Sequence, residues 1–226
     1  MTSYGQFCPV SKATEIIGEK WTLLILRELL LGTSRFNDFQ RSMSRISPTV
    51  LNKRLKMLEE KGVVLKKRLS GQKGFEYRLT AMGMELEPII ENLAVWGQRW
   101  ARGQMSDDEL DVELLMWDIH RRINSNSLPD AETVLSFNFD DLDNYSKWWM
   151  ILSRDDVDLC TENPGKDVDL YISSNLRTMI EVWQGDKGLK ASLQAEDIVA
   201  VGSKGLIRTM EDWFGLCTFS DVRPAV

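Results

Sequence analysis

Ser47-Pro48-Thr49-Val50-Leu51-Asn52-Lys53-Arg54-Leu55-Lys56-Met57-Leu58-Glu59-Glu60-Lys61-Gly62 contains a helix start, a helix stop and two unlike faces. Serine before proline is a strong opening signal, because a hydroxyl caps free backbone N–H groups and proline at the first helical position has none to lose. Gly62 ends the helix. Leu51, Leu55 and Leu58 recur at i, i+4 and i+7 and so face a core. Thr49, Asn52, Lys53 and Lys56 lie on the other side. Short polar and long basic side chains there suit base edges and phosphates in a major groove, and they equally suit a solvated helix face.

The flanking sequence favours the first alternative. Downstream, Val63-Val64-Leu65 begins a strand that ends basic at Lys66-Lys67-Arg68. Ser70-Gly71-Gln72-Lys73-Gly74 is a turn cluster, and Phe75-Glu76-Tyr77-Arg78-Leu79 alternates as a second strand. A hairpin directly after such a helix is a wing, whose glycine-rich tip with Lys73 can approach phosphate closely. Upstream, Val10, Ala13, Ile16 and Ile17 share one helical face, and Trp21, Leu24, Ile25 and Leu29 continue the period after Gly18-Glu19. Gly32 reads as a stop. Thr33 and Ser34 offer a cap to a short helix bearing Phe36, Phe39, Gln40 and Met43. Two helices with a short turn and a polar-faced second helix make a helix-turn-helix.

Charge is divided unequally. Residues 1–103 hold 17 Lys+Arg against 10 Asp+Glu, and residues 104–226 hold 11 against 24, so the chain's net charge of −6 conceals a half at +7. The basic half suits phosphate contacts and the acidic half would be repelled by them.

Residues 8–100 resemble the HxlR family of bacterial winged-helix regulators, relatives of the MarR type. The resemblance rests on CPVSKATEIIGEKWTLLILRELLLG, RFNDFQRSMSRISPTVLNKRLKMLEEKGVV and EYRLTAMGMELEPIIENLAVWGQRW, in that order. It implies a homodimer on a pseudo-palindromic operator in double-stranded DNA. Arg35, Ser47, Thr49, Asn52, Lys53, Lys56, Arg68 and Lys73 are the candidate DNA-contacting residues. Members often carry a Pro-Val-like approach to the Glu-Tyr pair, where this chain has Gly74-Phe75.

Thr80 caps a helix expected over about 81–102, roughly 33 Å long at 1.5 Å per residue. Pro88 should kink it or shift its start. Its apolar stripe is longer than a small core covers, so a partner helix is expected on it, with Leu93, Trp96 and Trp100 as the dimerisation residues. Cys8 precedes Pro9 at the first helix. Some similar HxlR-type regulators sense thiol oxidants or electrophiles through a cysteine at this place, and a thiol near a helix N-terminus with Lys12 close in sequence could have a lowered pKa. A small buried hydrophobe is the competing reading.

Gly103 to Asp108 is a polar joint, which divides the chain into a DNA-binding and dimerisation domain over 1–103 and an effector-binding domain over 104–226. A helix to about Ile123 and a loop over 124–130 come first. Strands are then expected at Thr133–Phe139, Tyr145–Ser153, Val157–Cys160 and Val168–Ile172. Asn175 caps a helix through Trp183, a fifth strand spans Ile198–Val201, and a last helix ends at Phe214. This order resembles sterol carrier protein type 2 over about residues 106–219, through VDLYISSNLRTMIEVWQGD and IVAVGSKGLIRTMEDWF. The fold class is therefore α+β: a winged helix-turn-helix followed by an α/β sandwich-like domain with a mostly antiparallel sheet. The resemblance implies a tunnel for an apolar small-molecule effector, with Trp148, Tyr171, Met179, Trp183 and Trp213 as candidate lining. Simple core filling is the alternative for each.

Catalysis is not expected. His120, the only histidine, has no nucleophile or carboxylate constellation near it in sequence, and Asp140-Asp141 and Asp155-Asp156 fall in turns that favour aspartate. Three dispersed cysteines and no CxxC argue against a metal cluster or disulfide scaffold, so no cofactor or metal is expected. No apolar run approaches the ~18 residues of a membrane span and no signal peptide is read, so a cytoplasmic protein with no membrane partner is expected. The readings to separate are a ligand-controlled transcriptional regulator, a redox regulator acting through Cys8, and a lipid-binding carrier.

Overall fold

The computed structural model describes residues 3–69, 73–101, 106–129, 131–154 and 156–225. Contacts divide the chain into two units, Met1–Val95 and Trp96–Val226, each with its own apolar core. Of the expected joint, Gly103 to Asp108, residues 103–105 lie outside the described residues, and Ser106 precedes a single 3-10 turn at Asp107–Glu109.

The first unit opens with α1 (Pro9–Ile17), none of whose residues is buried. α2 (Thr22–Leu30) follows a break at Trp21, whose φ of 79° lies in the left-handed region. That break resets the helical phase. Ile25, Leu26 and Leu29 are buried, whereas Leu24, expected on the inner face, is exposed. α3 (Phe36–Ser42) is not capped by Thr33 or Ser34; Arg35 occupies the cap position without a side-chain bond. The two expected caps are engaged elsewhere. Thr33 Oγ1 donates to Glu28 Oε2 at 3.1 Å, and the Ser34 carbonyl accepts from Tyr77 N at 2.9 Å. Glu28 takes the Thr33 hydroxyl, and the Ser34–Tyr77 bond with the Arg35–Glu76 bridge keeps this segment extended up to Arg35, so the helix begins later than either expected cap would start it.

α4 (Pro48–Glu60) keeps its predicted bounds to within one residue, with Ser47 Oγ accepting from Val50 N at 3.3 Å. Leu51, Leu55 and Leu58 are fully buried with Phe39, Ile25 and Leu26. β1 (Val64–Arg68) and β2 (Phe75–Leu79) pair antiparallel, from Val64 opposite Leu79 to Arg68 opposite Phe75. Of the expected wing tip, Ser70, Gly71 and Gln72 lie outside the described residues. The expected 81–102 helix is two: α5 (Ala81–Met84), capped by Thr80, and α6 (Glu87–Trp100), which starts one residue before Pro88. Proline thus sits in the first turn, where its missing N–H costs no bond.

In the second unit α7 (Val112–His120) ends three residues earlier than expected. β3 (Thr133–Phe139), β4 (Lys147–Leu152), β5 (Val157–Cys160), β6 (Leu170–Ser174) and β7 (Ile198–Gly202) form one sheet in the order β5-β4-β3-β6-β7. Only β3 and β6 run parallel; the other neighbours are antiparallel. α8 (Leu176–Trp183), α9 (Leu189–Gln194), α10 (Lys204–Arg208) and α11 (Met210–Trp213) complete it. α9 was not expected, and the last helix is broken at Thr209. Alternation puts Leu135, Phe137, Trp148, Met150, Leu170, Ile172 and Ile198 on the face packed against the helices.

Two local features set the strand ends here. Asp169 Oδ2 accepts from Val134 N at 2.8 Å and its carbonyl accepts from Ser203 N at 2.8 Å, so β6 starts after it and not at Val168. Gly202 closes β7 at φ 139°, where a Cβ would stand 2.3 Å from the Asp169 carbonyl oxygen. No other residue type fits so close an approach.

Candidate nucleic-acid interface

The Ser47 cap and the leucine stripe together fix which way α4 turns. With Leu51, Leu55 and Leu58 locked inside, Thr49, Asn52, Lys53 and Lys56 are left exposed. Ser47 at the helix start and Arg35 before α3 are exposed as well, as are Arg68 and Lys73 on the hairpin. All eight candidate contact residues are therefore accessible to a large partner. Lys56 Nζ lies 3.7 Å from Glu60 Oε1 with both side chains in solvent, a pair weak enough to exchange for a phosphate.

The hairpin is tied to the helices. Arg35 and Glu76 form a single antiparallel bridge, next to the Ser34–Tyr77 bond. Lys66 Nζ sits 4.3 Å from the Phe75 ring centroid and 5.7 Å from that of Tyr77, so this lysine is turned onto the wing's own aromatics.

Arg54 was not read from the sequence as functional. It lies on α4 between the buried stripe and the polar face, and its side chain is only 12% exposed. Its Nε donates to the Lys20 carbonyl at 3.1 Å and its guanidinium pairs with Glu19. Glu19 and Lys20 immediately precede Trp21, the left-handed residue between α1 and α2. Holding a non-glycine residue there costs about 1–2 kcal/mol. Arg54 clamps that turn to the middle of α4. Glu28 is a second residue missed by periodicity: wholly buried, it receives Arg27 Nη2 at 2.7 Å and the Thr33 hydroxyl, tying α2 to the turn before α3. Neither could have been singled out from spacing, because each pairs with a group set by a turn.

Cys8 is the N-cap residue of α1. Backbone N–H groups of Ser11 and Val10 pull its thiol below the ordinary thiol value, against a smaller upward push from burial. Lys12, expected to help, points to Glu15 at 3.3 Å instead.

In the second unit, Trp148, Met179 and Trp213 are packed in the core, where the Trp148 indole N–H donates to the Tyr145 carbonyl at 2.7 Å and that of Trp213 to the Leu206 carbonyl at 3.0 Å. Trp183 packs at the core's margin. Tyr171 is out of phase with Leu170 and Ile172 by one residue, so it stands exposed on the opposite sheet face. The structure therefore brings three of the five candidates together and separates Tyr171 from them. Aspartates in turns act on the backbone, as Asp141 does by accepting from Leu176 N at 2.9 Å. Among the described residues no group of three or more His, Cys, Asp or Glu could hold a metal, and no helix is long and apolar enough to cross a membrane.

The model of HxlR-like helix-turn-helix proteins matches residues 16–105. The HTH-type transcriptional regulator YdeP of Bacillus subtilis is 35% identical over 96 residues, 41% of this chain and 73% of that protein. YvaP of the same organism, also an HTH-type transcriptional regulator, is 35% identical over 98 residues, 42% of this chain and 91% of its own length. Among solved structures, the redox regulator HypR in its oxidised form is 34% identical with a TM-score of 0.38, covering 40% of this chain and 95% of that one.

Proposed function

Since the chain belongs to the family of HxlR-like helix-turn-helix proteins and is a transcriptional regulator of that type, we propose that it binds a pseudo-palindromic operator as a homodimer and is controlled by a small molecule with an apolar part held in its second unit. The observation that carries the DNA contact is the polar face of α4, exposed beside a basic hairpin while its leucines are fully buried. Two such helices in a dimer would enter successive major grooves ~34 Å apart. Thr49 and Asn52 then face base edges, while Lys53, Lys56, Arg35, Arg68 and Lys73 meet phosphates.

The test is operator binding by fluorescence anisotropy across a salt series, using a site selected from a random duplex library. Lys53→Ala and Lys56→Ala should each weaken binding alike on all sequences and reduce the slope of log K against log salt by about 0.9. Asn52→Ala should instead relax preference at one base position. Unchanged affinity and slope in both lysine variants would sink the assignment.

The second unit is read as the effector unit on its strand and helix order, which resembles sterol carrier protein type 2; a lipid carrier would bind lipid yet lack salt-dependent operator binding. A second mode of control through Cys8 is favoured by its lowered thiol pKa at a helix N-terminus. Under this reading a mild thiol oxidant releases operator from the wild type and leaves Cys8→Ser bound. Equal release from both would remove Cys8 as the sensor.

A further inference from the structure

A cavity of about 220 Å³ lies in the second unit, and none of Trp148, Tyr171, Met179, Trp183 and Trp213 lines it. The loop between α8 and α9 forms one side of it, and the chain after α11 forms the other. That terminal segment is pinned. Cys217 N donates to the Trp183 carbonyl at 2.8 Å and Ala225 N to the Arg99 carbonyl at 2.9 Å. Gly185, at φ 83°, lets the segment lie so close that a Cβ would stand 2.7 Å from the Ser220 carbonyl oxygen.

The lining has a definite chemistry. Leu189 and Phe214 are buried apolar walls, and Leu216 is a partly exposed one. Around them stand two cations, Lys187 and Arg223, and two carboxylates, Glu211 and Asp221. Lys187 is already paired with Glu181 at 3.0 Å. Among the described residues Arg223, Glu211 and Asp221 have no ion-pair or side-chain hydrogen-bond partner.

These features restrict the occupant. A purely apolar ligand would draw water from unpaired charges and give nothing in exchange. A simple anion would meet two carboxylates, and a simple cation would meet a free guanidinium. The volume falls below the ~300–1,000 Å³ of sites for drug-sized ligands. We propose that this cleft binds a small zwitterion with an apolar side chain, of the chemical class of an α-amino acid. The Arg223 fork takes its carboxylate, Glu211 and Asp221 take its ammonium group, and Leu189, Phe214 and Leu216 take its side chain. Binding stands independently of DNA; its regulatory consequence rests on the reading of the chain as a ligand-controlled regulator.

The experiment is calorimetric titration of the full chain with the standard amino acids. Expected is binding of one or more branched or aromatic members, with analogues lacking either the amine or the carboxylate at least about tenfold weaker. Arg223→Gln and Glu211→Gln should each lower affinity at least about tenfold while leaving the ligand-free circular dichroism and melting curve unchanged, since both side chains are exposed. No heat with any amino acid at millimolar concentration overturns the proposal. So does binding that both variants leave intact, or truncated analogues that bind as tightly as the intact amino acid. Operator binding measured without amino acid reports separately on the regulator itself.

Discussion

His120 shows how one side chain acquires a pH signature from its surroundings. Its Nε2 lies 2.7 Å from the Val157 carbonyl, which can only accept, so Nε2 carries the proton. The ring stacks on Trp117 at 5.1 Å between centroids, and Nδ1 is buried without a partner among the described residues. Burial pushes its pKa down, the Val157 carbonyl pulls it back up, and of the nearby charges Arg121 lowers it while Asp156 and Asp158 raise it. The folded-state value is thus depressed, and the unfolded chain takes up the proton first. The associated stability is fully present above the unfolded value, about 6.5, and is lost as pH falls through the folded value. Denaturant midpoints measured downward from neutrality should decline in wild type and decline less in His120→Gln, whose amide can still donate to Val157. As the only histidine in the chain, His120 is the one imidazole that can contribute. Parallel curves for the two proteins would show that it does not.

At the scale of elements, the orientation of α4 depends on more than its own leucines. The stripe fixes its rotation about its axis, and Arg54 fixes its attachment to the turn between α1 and α2. Arg54→Ala removes a hydrogen bond from a charged group and leaves the Lys20 carbonyl short of a donor, a loss of about 1 kcal/mol after allowing for the exposure of Glu19. The expected result is a lower melting temperature together with weaker operator binding, although Arg54 is not among the residues assigned to DNA. Arg54→Lys should recover little, because an ammonium cannot serve a carbonyl and a carboxylate in the fixed fork that guanidinium provides. Full operator affinity in Arg54→Ala would show that the clamp does not govern how α4 is presented.

At the scale of the whole molecule, the proposed dimer bears on α6. Ile89, Leu93, Trp96 and Trp100 recur at steps of four, three and four and are 51%, 47%, 59% and 52% exposed. Four large apolar side chains along one helix face form a patch of the kind that marks an interaction site. In the proposed dimer a second α6 would cover this patch and so present two α4 helices to a symmetric operator. Trp96→Glu with Trp100→Glu should convert a dimer to a monomer in sedimentation equilibrium and weaken operator binding. A wild-type monomer at micromolar concentration would sink both the dimer and the symmetric site.

Sequence by itself determined the elements whose signals are local. Ser47-Pro48 and Gly62 delimited α4, its leucine spacing chose the buried face, alternation found β2 and β3, and Asn175 marked the start of α8. Capping, periodicity and glycine conformations act within a few residues and can be read there. Tertiary structure decided what depends on distant partners. It engaged Thr33 with Glu28 and Ser34 with Tyr77 in place of capping, turned Tyr171 to the outer face by the register of β6, brought Arg54 to Glu19 and built a charged cleft from Gly185 and the chain after Phe214. The polar-faced helix α4 was legible because its cap, its stop and its leucine spacing are all local. The clamp and the cleft were not, because each is made by segments far apart in sequence whose meeting no local pattern records.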